Sequence, residues 1–241
     1  MIFYSLRATY ITFLFVFIGS FSFAQSNYFK MSYGFGGGMN KSYTDVYEGD
    51  YGKIVYGVFD YHITPFLTMG LEGQYGRIKG GIAVKDPSGR WFVNKYTALT
   101  ANLKLMLGEL VNYRQGGLLY NMRGIYVGFG LGAINNNISN IARYPPHTSG
   151  SDRQPYGGED KSTNLLLPIN LGFNYYIKDS FGYMRYVINV NAQSNFTFGE
   201  GLDGYNESRL SANNTYPDMY NSITVGFRYL FGNVRSYHKT L

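Results

Sequence analysis

The chain has 241 residues, 21 Lys and Arg against 15 Asp and Glu for a formal net charge of +6, and no cysteine. Disulfides, thiolate metal sites, a catalytic thiol and a lipidated N-terminal cysteine are therefore excluded. An aromatic content of 18% with only 15% charged residues excludes a disordered chain, and the basic residues are scattered rather than clustered, which excludes nucleic acid as the expected partner.

Residues 1–24 read as a secretory signal peptide. Arg7 precedes an apolar run from Ala8 to Phe23, and Ser22 and Ala24 supply the small side chains of a cleavage site. The run is shorter than the roughly 20 residues of a membrane-spanning helix. Cleavage after Ala24 leaves Gln25 as the first residue of a chain that works outside the cytoplasm.

From there the sequence alternates with period two. Phe29, Met31, Tyr33 and Phe35 face one way, Lys30, Ser32 and Gly34 the other. A polar stretch around Asn40–Glu48 leads to a second strand over 53–63, with Val55, Phe59 and Tyr61 opposed to Tyr56, Asp60 and His62; Ile54 and Val58 blur that parity. A turn at 63–66 opens a third strand, in which Leu67, Met69, Leu71 and Tyr75 alternate with Thr68, Gly70, Glu72 and Gln74. The fourth, about 91–107, sets Leu99, Ala101, Leu103 and Leu105 against Thr100, Asn102 and Lys104, and a longer connection fills 108–123. The fifth is expected over 125–133, followed by a polar loop at about 135–162. The sixth places Leu165, Leu167, Ile169 and Leu171 against Asn164, Asn170 and Asn174, with a bulge expected at Pro168. The seventh sets Tyr186, Ile188 and Val190 against Arg185, Asn189 and Asn191; a loop spans about 199–219; and the eighth sets Ile223, Val225, Phe227 and Tyr229 against Thr224, Gly226 and Arg228.

The oily set is large and the polar set is rich in Asn, Gln and Gly, including Gly34, Gly36, Gly70, Gly128 and Gly226. Small polar residues suit a narrow lumen and large apolar ones a lipid wall, so the oily face points outward. The fold class is all-β: an eight-stranded antiparallel up-and-down transmembrane β-barrel over 25–232, with a short periplasmic tail at 233–241. Aromatic girdles are expected around the 178–182 turn, at Tyr175, Tyr176, Phe181, Tyr183 and Tyr186, with Tyr61, Phe66, Tyr229 and Phe231 at the same level.

"TVGFRYLF" at 224–231 resembles the C-terminal assembly signal of Gram-negative outer-membrane barrels, with Thr224, Val225, Gly226, Tyr229 and Phe231 at its characteristic places. With the "FAQ" signal ending, "ITPFLTMGLEGQYG" and "RGIYVGFGLG", the mature chain resembles the small eight-stranded outer-membrane β-barrel family. The resemblance implies a place in the outer membrane and Gly226, Tyr229 and Phe231 as residues read by the barrel-assembly machinery; a monomer is the expected state. It leaves the role open among structural barrels, adhesins, channels for small or hydrophobic solutes, secretion or motility accessories and lipid-A enzymes.

Six charged side chains are expected in the lumen: Lys30, Asp60, Glu72, Lys104, Arg185 and Arg228. A buried ion needs a partner, so they are expected to close the lumen as a salt-bridge network. Lys53, Arg77 and Lys95 fall on the outward parity near the outer rim, where they are candidates for contact with lipid and lipopolysaccharide phosphates. His62, His147 and His238 do not converge as metal ligands, and no catalytic residue or cofactor is assigned. The outer loops, bearing Tyr144, His147, Arg153, Tyr156, Tyr205, Arg209 and Tyr216, are candidates for a surface ligand. The expected function is a plugged barrel with a structural or adhesive role, with a passive channel or a secretion or motility accessory as the alternatives.

Overall fold

The computed structural model describes residues 26–44, 46, 48–86, 89–111, 118–144, 156–199, 201–205 and 218–237; the expected signal peptide lies outside them. Eight strands form one closed antiparallel sheet: β1 Ser26–Tyr43, β2 Gly49–His62, β3 Leu67–Gly80, β4 Phe92–Met106, β5 Ile125–Ile141, β6 Lys161–Lys178, β7 Met184–Phe198 and β8 Met219–Tyr237. Each strand pairs with its sequence neighbours, and β1 closes the barrel on β8. Closure leaves no unpaired edge, which is what hydrocarbon demands of a sheet.

Burial alternates along every strand, and its sense is inverted relative to a soluble protein. Phe35, Leu71, Leu99, Phe129, Leu171 and Val225 are exposed, while Asn102, Asn170, Asn189, Gln193, Thr224 and Arg228 are buried. An outward apolar band around a polar interior is the polarity of a membrane-spanning barrel. On that outer face the rings of Phe59, Phe231, Tyr33, Tyr229 and Tyr186 touch in sequence across the β1–β8 seam, at centroid distances of 5.6–6.4 Å. Tyr175 and Phe181 are outward as expected, but Phe66 is buried and Tyr176 packs inside.

Two strand ends and one expected bulge differ from the sequence pattern. β5 continues to Ile141 because its asparagines find cross-strand partners: Asn135 Nδ2 donates to Thr163 Oγ1 at 3.0 Å and Asn136 Nδ2 to Ser162 Oγ at 3.0 Å. β8 continues past Phe231 to Tyr237, pairing with β1 down to Ser26, so residues 233–237 belong to the wall rather than to a tail. Tyr237 Oη donates to Glu109 Oε1 at 2.8 Å, fastening that extension to the β4–β5 connection. Pro168 makes no bulge: the β5–β6 register is unchanged on either side of it, Pro168 sits opposite Gly130, and the missing donor is an interruption of the ladder rather than an extra residue.

The short turns lie at one rim. At 179–183 the Asp179 carboxylate accepts hydrogen bonds from Arg185 Nε at 2.8 Å and from the amides of Tyr183 and Phe181. The Arg185 bond, reinforced by the two amides, holds that carboxyl below its ordinary range. The β4–β5 connection carries two short helices, α1 Leu107–Leu110 and α2 Leu118–Met122.

Glycine makes room inside. A Cβ on Gly226 would run into the Tyr56 hydroxyl and lie 2.9 Å from the Phe35 carbonyl oxygen. Outward Gly57 has nothing closer than 4.0 Å. Gly226→Leu is therefore expected to lower the unfolding free energy by about 1–3 kcal/mol, and Gly57→Leu to leave it nearly unchanged, read by Trp91 fluorescence during denaturant unfolding in micelles.

Candidate functional site

The lumen is filled in layers. Toward the long-loop rim lies an apolar cap built by Ile54, Ile78, Phe92, Ile134, Leu166 and, from the β7–β8 loop, Leu202. Leu202 is fully buried; its carbonyl accepts from Asn94 Nδ2 at 2.9 Å. Tyr205 continues the closure by donating to the carbonyls of Trp91 and Ala142 at 3.0 and 2.9 Å, and burial pushes its phenol up to about 12. Below the cap, the rings of Tyr96 and Tyr220 meet tilted at 54° with centroids 5.3 Å apart, and Tyr220 Oη donates to Gln74 Oε1. Gln74 Nε2 in turn donates to Glu72 Oε1 and Gln193 Oε1, both at 2.8 Å. The next layer is an amide chain: Asn191 donates to Asn170, Asn170 to Asn102, and Asn102 to Thr100.

The charges come next. Asp60, on β2, faces Lys104 Nζ at 3.7 Å and Arg228 Nη1 at 3.5 Å. All three side chains are nearly inaccessible. Neither Asp60 oxygen has a hydrogen bond of its own, so its compensation is coulombic. Arg228 Nη2 also donates to Asn189 Oδ1 at 3.4 Å, and Asn189 Nδ2 donates to Tyr126 Oη and Asn174 Oδ1. Gly34 lies over this group: a Cβ there would meet Arg228 Cγ at 2.5 Å.

Beside Asp60, His62 Nε2 lies 3.0 Å from Ser32 Oγ and His62 Nδ1 2.9 Å from Thr68 Oγ1. The spacing is that of a nucleophile and a base, but Ser32 is fully buried and His62 nearly so. Phe66, Met106, Tyr126 and Tyr176, with Phe29, Val187 and Leu230, floor the lumen beneath the charges.

Of the expected lumen charges, Asp60, Glu72, Lys104 and Arg228 are inside; Lys30 and Arg185 are not. The β1–β8 ladder is irregular between Phe29 and Met31, which turns Phe29 into the floor and Lys30 outward. Lys30 Nζ donates to the outward Tyr61 Oη at 3.1 Å and lies over its ring. Arg185 stands at the mouth, drawn to Asp179 and to Tyr229 Oη at 3.1 Å, with its guanidinium 4.4 Å from the Phe29 ring.

His62, on the inward parity of the second strand, is a bonded lumen residue. The cap had a signal, since Ile54, Ile78, Ile134 and Leu166 are large apolar residues on the small-polar parity near the loop ends, but Leu202 reads as an ordinary loop residue. Of the expected loop contact residues, Tyr156 and Tyr205 pack together in the cap at 5.8 Å. Tyr144 is exposed. His147, Arg153, Arg209 and Tyr216 lie outside the described residues, as does His238.

On the outer wall, Lys53, Arg77 and Lys95 are exposed on β2, β3 and β4. Arg77 is the direct ladder partner of Lys95, and Lys53 and Arg77 line one surface hollow of about 430 Å³. Gly226 is in the lumen, whereas Tyr229 and Phe231 belong to the aromatic chain across the seam.

A closed, even-numbered, all-antiparallel barrel with an apolar outside and a polar inside defines a small eight-stranded transmembrane β-barrel of the outer-membrane type. Similar solved structures include Neisserial surface protein A, 13% identical over 86% of this chain and 99% of that one, TM-score 0.45. They also include OprG from Pseudomonas aeruginosa, 11% identical over 86% and 98%, TM-score 0.37, and Ail, the attachment invasion locus protein of Yersinia pestis, 12% identical over 85% and 99%, TM-score 0.36. No family model and no curated protein matches the sequence.

Removing the one carboxylate between two buried cations leaves both uncompensated. Asp60→Asn is expected to cost about 3–5 kcal/mol, while the triple change Asp60→Asn, Lys104→Met, Arg228→Met recovers most of it. Denaturant unfolding of the three proteins in one detergent checks this.

Proposed function

We propose that the protein is a plugged, non-enzymatic outer-membrane barrel that acts through its outer surface in a structural or surface-binding role. The observation that carries this is the stacking of closures along one lumen: the Leu202 cap, the Gln74–Glu72–Gln193 layer, the Asp60 ion cluster and the aromatic floor. An eight-stranded barrel has an interior just wide enough for side chains to fill, and the layers here fill it from the loop rim to the floor. A continuous path for water would have to break all of them. The Ser32–His62 pair lies within the same packing, which supports a structural rather than a chemical role for it.

In this reading the chain is exported by residues 1–24, cleaved after Ala24 and inserted as a monomer, with Gly226, Tyr229 and Phe231 recognised by the barrel-assembly machinery. Lys53, Arg77 and Lys95 meet phosphates of outer-leaflet lipid and lipopolysaccharide, and exposed loop residues such as Tyr144 are available to a surface ligand.

Reconstituted into planar bilayers, the wild-type barrel is expected to give no steady single-channel current. The combined Leu202→Gly, Tyr96→Ala, Tyr220→Ala variant, which empties the cap, is expected to leak intermittently. Steady wild-type currents would replace the plugged barrel by a channel.

A further inference from the structure

We propose that the outer face of β2–β4 is a seat for a single outer-leaflet lipid bearing a phosphomonoester headgroup, its phosphate on Lys53, Arg77 and Lys95 and one acyl chain in the groove below them. The proposal rests on the reading that these three cations meet lipid phosphate, and deepens it.

The cations carry the first part of the argument. Arg77 and Lys95 are direct partners on one face of the sheet, and like charges directly opposite destabilise a ladder. Lys53 flanks Arg77 on the next strand. Among the described residues none of the three forms an ion pair with a carboxylate; neighbouring Lys79 pairs with Asp50 at 3.8 Å. Along the same ladder row the neighbours are Met39 on β1 and Asn137 on β5, with Lys161 beyond on β6. Three adjacent strands thus carry cations side by side, and an anion set among these three unpaired cations turns their repulsion into charge-assisted hydrogen bonds. A phosphomonoester, with nearly two charges and three acceptor oxygens, matches three adjacent cations better than a singly charged phosphodiester.

The groove carries the second part. Below the cations the outward rows run Val55–Tyr75–Thr97, then Gly57–Gly73–Leu99, then Phe59–Leu71–Ala101. Gly57 and Gly73 are ladder partners, and both would present a Cβ to open space. They form a trough between the basic hollow and a second, apolar one of about 560 Å³ lined by Phe59, Met69, Leu71, Ala101, Leu103 and Leu131. From Lys53 to Tyr61 the strand descends about 20 Å along the barrel axis, somewhat more than one leaflet's half of the roughly 30 Å hydrocarbon core. The trough is therefore long enough for a headgroup contact and one acyl chain, and it is continuous with the lipid-facing belt.

The test uses the full mature barrel, purified in mild detergent, with diphosphoryl lipid A or phosphatidylglycerol added and the retained lipid counted by native mass spectrometry. Wild type is expected to hold one lipid A and to release phosphatidylglycerol. Lys53→Gln, Arg77→Gln, Lys95→Gln and, separately, Gly57→Leu, Gly73→Leu are each expected to lower lipid A retention roughly tenfold or more. Ala192→Leu, on the lipid face of β7, is expected to leave it unchanged. Gel mobility before and after boiling confirms that each variant is folded. If only the charge variant loses lipid, the phosphate contact stands and the acyl seat is wrong. If neither does, both are wrong. Equal retention of phosphatidylglycerol overturns the headgroup assignment.

Discussion

A closed eight-stranded sheet gives each residue one of two surroundings, hydrocarbon outside or a hollow barely wider than a tyrosine inside. Every other feature of this chain answers to that division. Hydrocarbon outside allows Phe35, Leu71, Leu131 and Val225 to be exposed, and it removes water as a partner for anything that turns inward. The narrow interior then sets a volume problem. Tyr56 reaches across it only because Gly36 and Gly226 have no side chains in its way, and Arg228 lies across Gly34 for the same reason. The glycines of this barrel are thus the complement of its large lumen residues, not a loosening of its strands.

The charge cluster follows from the same constraint. Asp60, Lys104 and Arg228 come from β2, β4 and β8, so their attraction spans the lumen rather than one hairpin. Ion pairs at 3.5 and 3.7 Å with unbonded carboxylate oxygens are not the geometry of maximal stability, and a buried pair is in any case weak support for a fold. What the cluster supplies is mutual dependence: no one of the three is tolerable without the others. Flanking it, Asn189 touches Arg228, Tyr126 and Asn174 at once, which ties the ions to the aromatic floor.

The strands were legible because period two is a strong signal and the barrel requires it along the whole wall. Asp60, Glu72, Lys104 and Arg228 stand on the inward parity of their strands and are buried. Parity failed where the ladder itself is irregular. Lys30 counts as inward until the break between Phe29 and Met31 reverses it, and nothing local marks that break, since the bulge depends on how β8 continues past Gly232. Arg185 counts as inward too, but at the end of a strand an outward hydroxyl and the Asp179 carboxylate are stronger claims on a guanidinium than an apolar floor. The asparagines of 135–140 read as loop because asparagine is a turn residue; inside a sheet their amides bond across strands as well as they would to their own backbone. Leu202 was invisible for a different reason: its burial is decided by a hole that eight other segments create.

The two ends of the barrel are sealed by unlike means, and the difference bears on how it meets its surroundings. At the short-turn rim the closure is built from strand residues, from Phe66 of the tight β2–β3 turn and from Tyr237 bonded to Glu109. At the loop rim Leu202 and Tyr205 arrive from a connection between strands and are held by Asn94, by backbone carbonyls and by Arg143, which donates to the Gly204 carbonyl at 2.7 Å and pairs with Asp160. Local stability follows contact density and is lowest in connections. Any event that opened the outer end would therefore begin with the 201–205 segment, which links the β7–β8 loop to the lumen through Leu202 and Tyr205.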